Sequence, residues 1–342
     1  LKIVTQNLME IRIDPQKFNN IKEAMVRGLK NRKLGQAYSR GGYYNWLMLL
    51  DEQYTEEQKL QALLPLSLDD VKAYAKTLYE KVFITGLIHG NYNDKKAIEN
   101  TNILIDSLKS QPLAKKDRYK QIVEKMPKGK RFSFSREVKD NNNSLSYAIQ
   151  VGDKDFAIQA QVSMLASIVE SDFYTQMRTN QQLGYIVWSF QQRMEDRIFF
   201  RLLIQSSTHG PFEMRKRVNA WLKSTDKIFS KLTKEEFERH RQALIVGLEK
   251  EGDSIASVLS DLYSLAVDED GDFLYKKKLI DAVKKVKKSD VISLARKVFL
   301  DPNTPRLEVL IRAKDSKEKV PAGVIDDVEQ FKKQIAVSGT NS

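Results

Sequence analysis

Apolar residues recur every three or four positions from Ile13 to Leu29, in IDPQKFNNIKEAMVRGL, and again from Leu232 to Leu248, in LTKEEFERHRQALIVGL. That spacing predicts two amphipathic helices. Asp14 ahead of Pro15 starts the first, and Thr233 with Glu236 three residues on starts the second. The segments align without a gap: Phe18, Ala24, Gly28 and Leu29 meet Phe237, Ala243, Gly247 and Leu248 at an offset of 219 residues. Further along, Leu66–Tyr79 and Val286–Phe299 match at an offset of 220, sharing Asp70/Asp290, Val71/Val291 and Ala75/Ala295. Each is followed by a β-rich run, Phe83–Asn91 and Arg306–Ala313, which predicts that helix and then strand close both units. Register kept over this distance indicates a tandem duplication.

The second unit starts near Lys130 with two predicted strands, RFSFSREV and SLSYAIQVG, about a hundred residues before its matching helix. The first unit has no counterpart of that half, so the chain is expected to open in the middle of a domain. Apolar residues at helical spacing run from Phe156 to Met177, residues 185–190 and 197–205 read as a strand pair, and a further helix is predicted from Phe212 to about Phe229. Strands followed by helices and a last strand predict an α+β fold: a tandem repeat of α/β domains with antiparallel sheets covered by helices, the first repeat truncated at its N-terminus. The expected domains are 1–107, the C-terminal part of one repeat, and 130–342, a whole one. Residues 108–129, basic and punctuated by Pro, read as the linker.

With 342 residues, 41% of them hydrophobic and 30% charged, the composition is that of an ordinary globular protein holding roughly two domains. No apolar run reaches the ~18 to 20 residues that span a bilayer, and no membrane association is expected. Absence of cysteine rules out disulfides and thiolate metal sites and is compatible with an oxidising compartment. The net charge of +12 is spread among 45 acidic residues, which describes solvated faces; no nucleic-acid partner is expected.

Metal binding needs converging ligands, such as two His on one helical face. The three histidines, His89, His209 and His240, do not supply that pattern. Glu236 and His240 lie one helical turn apart, where a solvated pair is the ordinary outcome. No metal site is expected in this chain. No Ser lies in a G-x-S-x-G elbow, and no phosphate-binding glycine loop is present.

One segment carries more. Residues 173–187, FYTQMRTNQQLGYIV, place Arg178 at the end of an amphipathic helix and Tyr185 at the start of a strand. With Arg178, Thr179, Gln182, Leu183, Gly184, Tyr185 and Val187 in register, the segment resembles the R-T-x-x-Q-L-G-Y-x-V signature of the insulinase (pitrilysin) family. The stretches GLIHGN, LLIQSS, LTKEEFERHRQAL and VIDDVEQFKK are similar too. The resemblance implies four homologous α/β domains in two halves that close around a peptide, with a zinc motif on the first domain. This chain would be the end of the third domain and the fourth: the non-catalytic C-terminal half of a zinc metalloendopeptidase, inactive alone. Its partners would be the N-terminal half of the same polypeptide and peptide substrates. Arg178 and Tyr185 would act as accessory catalytic donors to the substrate near the scissile bond, with Gln182 and Gly184 shaping the turn between them. Zinc would belong to the full-length enzyme, with no cofactor here. An inactive scaffold or peptide-binding subunit of the same fold is the alternative, and a periplasmic or exported bacterial setting is the expected localisation.

Overall fold

The computed structural model describes residues 2–9, 12–314 and 316–339; the expected spans 1–107 and 130–342 also take in residues outside that set. In chain order the helices are α1 (Lys2–Met9), α2 (Pro15–Arg32), α3 (Ala37–Leu49), α4 (Glu56–Leu63), α5 (Leu68–Leu78) and α6 (Asp94–Leu108). They continue with α7 (Phe156–Tyr174), α8 (Pro211–Ser224), α9 (Asp226–Lys231), α10 (Lys234–Glu249), α11 (Ile255–Val267), α12 (Tyr275–Lys285), α13 (Lys288–Leu300) and α14 (Val328–Gly339). The strands are β1 (Lys81–Val82), β2 (Gln111–Pro112), β3 (Arg131–Glu137), β4 (Asn143–Asp153), β5 (Ile186–Met194), β6 (Arg197–Ser206) and β7 (Arg306–Arg312).

The chain divides into two compact units that are not consecutive in sequence. One holds the residues through Asn31, Thr55–Lys120 and Glu251–Tyr275; the other holds Arg32–Tyr54, Gln121–Lys250 and the residues from Lys276 on. The division keeps the duplication's register: 32–54 and 251–273 correspond at the offset of 219, so each repeat gives its equivalent segment to the unit formed mainly by the other. The helix starts repeat as well. Asp70 and Asp290, 220 apart, each accept the N–H of their N-cap residue, Ser67 at 2.8 Å and Lys287 at 2.9 Å.

The second unit is built on a five-stranded sheet in the order β3-β7-β4-β6-β5. The architecture is α+β, but the sheet is mixed and not wholly antiparallel: β7 runs antiparallel to β4 and parallel to β3. The reason is topological. β3 and β4 are joined by a short connection and run in opposite directions, so a strand placed between them must be parallel to one. Alternation along the strands splits the sheet into two faces. One carries Phe132, Phe134, Ala148, Phe199, Leu307, Val309 and Ile311, and packs with Leu47, Met48 and Leu49 of α3 and Phe331 and Ile335 of α14. The other is covered by α7, α8 and α13, where Phe299 meets Phe200 edge-on at 5.0 Å. Buried Arg306 reaches from β7 to the last carbonyls of α13, Val298 at 3.1 Å and Phe299 at 2.9 Å, placing a cation at a helix C-terminus. Part of the segment read as a linker belongs to this core: Val123 and Met126 are buried, and the Glu124 N–H donates to Leu49 O at 2.7 Å.

The first unit carries helices α1, α2, α4, α5, α6 and α11 and the two-residue parallel ladder β1-β2. The expected strand over Phe83–Asn91 is absent. A strand persists where a neighbour takes up its N–H and C=O groups, and among the described residues only Gln111–Pro112 pairs here, at Lys81 and Val82. At the offset of 220, residues 86–92 correspond to β7, whose two neighbours, β3 and β4, have no counterpart among the described residues of this unit.

Candidate functional site

The site forms where α7 hands the chain to β5. Asp155 caps α7, accepting the Ile158 N–H at 3.0 Å, and the helix is apolar on most sides because sheet, α10 and α13 all pack on it. At Thr175–Asn180 the backbone widens into a π-helical turn, a form often found at functional positions. Gln181 N–H donates to Gln176 O at 3.1 Å and Leu183 N–H to Met177 O at 2.9 Å. Met177 and Leu183 are both buried and pin the two ends of this turn to the core.

Gln182 and Gly184 divide the turn's demands differently from what glycine's freedom alone suggests. The left-handed residue is Gln182, with φ 51°. Gly184 has no positive φ; it is required by a close approach, since an added Cβ would lie 1.8 Å from the carbonyl oxygen of Gln205 on β6. The approach lets the chain enter the sheet edge directly, with Ile186 opposite Gln205.

Arg178 and Tyr185 are brought together. The Arg178 guanidinium carbon lies 4.5 Å from the centre of the Tyr185 ring and 5.0 Å from that of Tyr174, one helical turn earlier. Such stacking holds a guanidinium by its face and leaves its in-plane N–H groups available. No hydrogen bond or ion pair engages Arg178 among the described residues. Tyr185 is 81% exposed, so its phenol also faces outward. The arrangement is a pair of adjacent donors on a rigid turn, able to bind an electron-rich carbonyl. Tyr174 was not singled out by sequence, although its spacing of four from Arg178 is the signal that places both on one helical face.

The histidines lie elsewhere. His89 is exposed. His209 Nδ1 is 2.9 Å from Thr208 Oγ1. His240 Nδ1 is 2.9 Å from Ser167 Oγ, and burial pushes its pKa down, with Arg239 adding to the effect. Glu236 is occupied in the cap of α10, where the Thr233 N–H, donating at 2.9 Å, holds its carboxyl below the usual range. Among the described residues no three His, Asp or Glu side chains converge, so the groups present do not fit a zinc ion. Asp172, Gln176, Gln181, Trp221, Lys227 and His240 line a cavity of about 800 Å³, and within that lining Trp221 Nε1 donates to Asp172 at 2.7 Å.

Residues 164–262, which include the whole turn, match the family model described as PQQ synthase PqqF-like, C-terminal lobe domain 4. The nardilysin-like protein of Arabidopsis thaliana is 29% identical over 313 residues, covering 89% of this chain and 30% of that protein. The insulin-degrading enzyme of Drosophila melanogaster is 24% identical over 303 residues, covering 87% of this chain and 30% of that one. The chain is similar to members of the insulinase family. It corresponds to a C-terminal half and spans about a third of the length of these relatives. The insulinase-type fold is shared with the crystal structure of pitrilysin, at a TM-score of 0.78 and 17% identity over 95% of this chain and 35% of that one. The periplasmic protease PqqL from Escherichia coli has the fold too, at a TM-score of 0.60 and 12% identity. No helix of the described residues is long and apolar enough to cross a membrane.

Proposed function

We propose that the chain is the non-catalytic C-terminal half of a zinc metalloendopeptidase that encloses peptides, and that Arg178 and Tyr185 bind the substrate carbonyl at the bond to be cut. The zinc belongs, in this reading, to the N-terminal half of the same polypeptide, and the 342 residues alone do not cleave. Residues 1–107 and 130–342 are the end of a third and a fourth repeat of the family's domain.

The observation that carries the reading is the unpaired guanidinium of Arg178, stacked on Tyr185 at 4.5 Å beside a phenol in solvent. Donors fixed in advance at a carbonyl oxygen stabilise the negative charge that it gains as the bond is attacked, and being held by a buried turn they need little reorganisation. Zinc, when bound to the other half, supplies Lewis-acid activation. A cysteine-free chain suits the exported or periplasmic setting that forms part of this reading.

The test is cleavage of a quenched fluorescent peptide by the whole polypeptide and by this chain. Activity confined to the whole polypeptide, and reduced by Arg178→Ala and Tyr185→Phe, supports the proposal. Cleavage by the isolated chain overturns it. A zinc-loaded whole polypeptide that binds peptide without cutting it makes the inactive scaffold the better reading.

A further inference from the structure

The cavity among α7, α8, α9 and α10 opens on a different face of α7 from Arg178. Ile168, Asp172 and Gln176, spaced by four, all line it. Tyr174 and Arg178, also four apart, fall between them in sequence, and residues two apart on a helix do not share a face. A volume of about 800 Å³ is in the range of ligand sites, about 300 to 1,000 Å³.

Its charge is unbalanced. Arg217, Lys227, Lys231 and Arg239 line it against two carboxylates, Asp172 and Glu236. Both carboxylates are engaged: Asp172 accepts from Trp221 Nε1 at 2.7 Å, and Glu236 from the Thr233 N–H at 2.9 Å. Arg217 is matched from outside the lining by Glu213 at 2.8 Å, and Arg239 lies 3.7 Å from Glu236. Among the described residues Lys227 and Lys231 have no ion pair, and their spacing of four on α9 brings both ammonium groups to one space. Buried Ile168, Trp221 and Leu232 form the apolar part of the wall, and a charge beside such a wall acts more strongly than in water. Gln176 and Gln181 add carboxamides, which both donate to and accept from peptide groups.

We infer that this cavity is a subsite for an acidic residue of the peptide, Asp or Glu, whose carboxylate lies between Lys227 and Lys231. The inference rests on the proposed peptide-binding role of Arg178 and Tyr185, from which the bound chain bends round the π turn to the cavity. A helix with its side chains is about 10 Å across, so half its girth is roughly 16 Å. An extended peptide advances about 3.3 Å per residue, which places the acidic residue roughly four to six positions from the bond to be cut. A basic residue at that position meets two ammonium groups and is disfavoured.

The test moves a single Glu, Gln or Lys along an otherwise uncharged quenched peptide that is offered to the whole polypeptide. The ratio of kcat/KM for Glu over Gln is expected to reach at least about tenfold at one position, the effect of a hydrogen bond between charged groups, with Lys the poorest residue there. In the double variant Lys227→Glu with Lys231→Glu the order is expected to reverse in favour of Lys, an outcome that an unfolded variant cannot give. Lys234→Glu, at an exposed position outside the lining, should keep the parent order. A second measurement needs no cleavage. A carbodiimide condenses a carboxylate with an adjacent lysine amine and itself takes up the water, so the Glu peptide should couple to this chain at Lys227 or Lys231 in preference to Lys234, as read by mass spectrometry. A Glu over Gln ratio near one at every position, or coupling spread evenly over exposed lysines, overturns the inference. A flat ratio with cleavage still lost on Arg178→Ala removes the subsite and leaves the proposed function standing. Coupling confined to Lys227 and Lys231 in a polypeptide that cuts no peptide does the reverse.

Discussion

Gly184 sits so close to the carbonyl of Gln205 that an added Cβ would lie 1.8 Å from the oxygen, and the atom in the way is backbone. Neither side can yield cheaply, because Gln205 is held in the ladder opposite Ile186 and Gly184 is tied to the buried Leu183. Gly184→Ala is expected to cost about 2 kcal/mol or more in urea unfolding, as overpacking does, and to displace Tyr185, the next residue. The same substitution at Gly28, which has nothing within 4 Å of an added Cβ and lies mid-helix, is expected to be neutral or mildly stabilising.

Among the described residues Arg178 is held by the rings of Tyr174 and Tyr185 and not by a carboxylate. Stacked contacts of this kind contribute about 0.5 to 1 kcal/mol near a surface, so Arg178→Ala is expected to change the melting temperature little. In the whole polypeptide, peptide cleavage should fall on the order of 10²- to 10³-fold if the guanidinium binds the developing charge. Arg178→Lys keeps the charge but not the planar fork and should recover only part of the loss. Unaltered kcat/KM in the alanine variant would remove Arg178 from the chemistry.

The duplication, the helix starts at Asp14 and Thr233, and the α7-turn-β5 passage were legible in sequence, because each is set by local periodicity or a cap within four residues. What escaped depends on distant partners. The parallel pairing of β3 with β7 joins residues about 175 apart, and nothing near Arg131 or Arg306 encodes it. Phe83–Asn91 has the composition of a strand but, among the described residues, no neighbours to make it one. The role of Gly184 is decided by Gln205, 21 residues on, and the exchange of 32–54 for 251–273 cannot be seen until the helices are packed. At the candidate site the signature marked Arg178 and Tyr185, while Tyr174 needed the geometry of the turn to be noticed.

Glu318 caps a helix from a distance. Its carboxylate accepts the N–H groups of Phe212 and Glu213, each at 3.1 Å, in the first turn of α8, where Gly210 leaves room for it. A Cβ on Gly210 would lie 2.0 Å from the carboxyl carbon and push Glu318 away. Gly210→Ala and Glu318→Ala are each expected to cost about 1 kcal/mol, the size of an N-terminal anion's contribution. Since both remove one interaction, the double variant should cost little more than either alone. Full additivity in chemical denaturation would show that the two act independently.

His240 gives the fold a pH dependence of known sign. Burial against α7 disfavours the charged imidazolium, so its folded pKa lies below the ordinary 6.5. The unfolded chain therefore binds the proton more readily than the folded one, and stability rises with pH between the folded and unfolded values. The contribution is whole above about pH 7, is lost as pH falls through 6.5, and levels off below the folded pKa. Urea midpoints measured from pH 7.5 to pH 5 are expected to decline in the parent and to decline less in His240→Gln. Parallel profiles would assign the acid sensitivity to other groups.

Cutting the chain at its sequence repeat is expected to break a core. Residues 130–342 contain the whole five-stranded sheet but not α3, nor Val123 and Met126, which belong to the same compact unit. Leu47, Met48 and Leu49 are each 1% exposed or less against Phe134, Val309 and Ile311. Losing them forfeits roughly 1.5 to 3 kcal/mol apiece in burial, together comparable with the whole stability of a typical domain, about 5 to 15 kcal/mol. Asn45 also leaves, and with it the amide that donates to Ser146 Oγ at 2.8 Å beside the guanidinium of Arg201, which burial pushes down to a pKa of about 10. The fragment should retain far-ultraviolet circular dichroism while binding a hydrophobic dye and losing cooperative melting. A fragment beginning at Arg32 restores α3 and should melt cooperatively. If 130–342 melts as sharply as a fragment that begins at Arg32, α3 is dispensable and the sequence repeat, not the exchanged unit, is what folds.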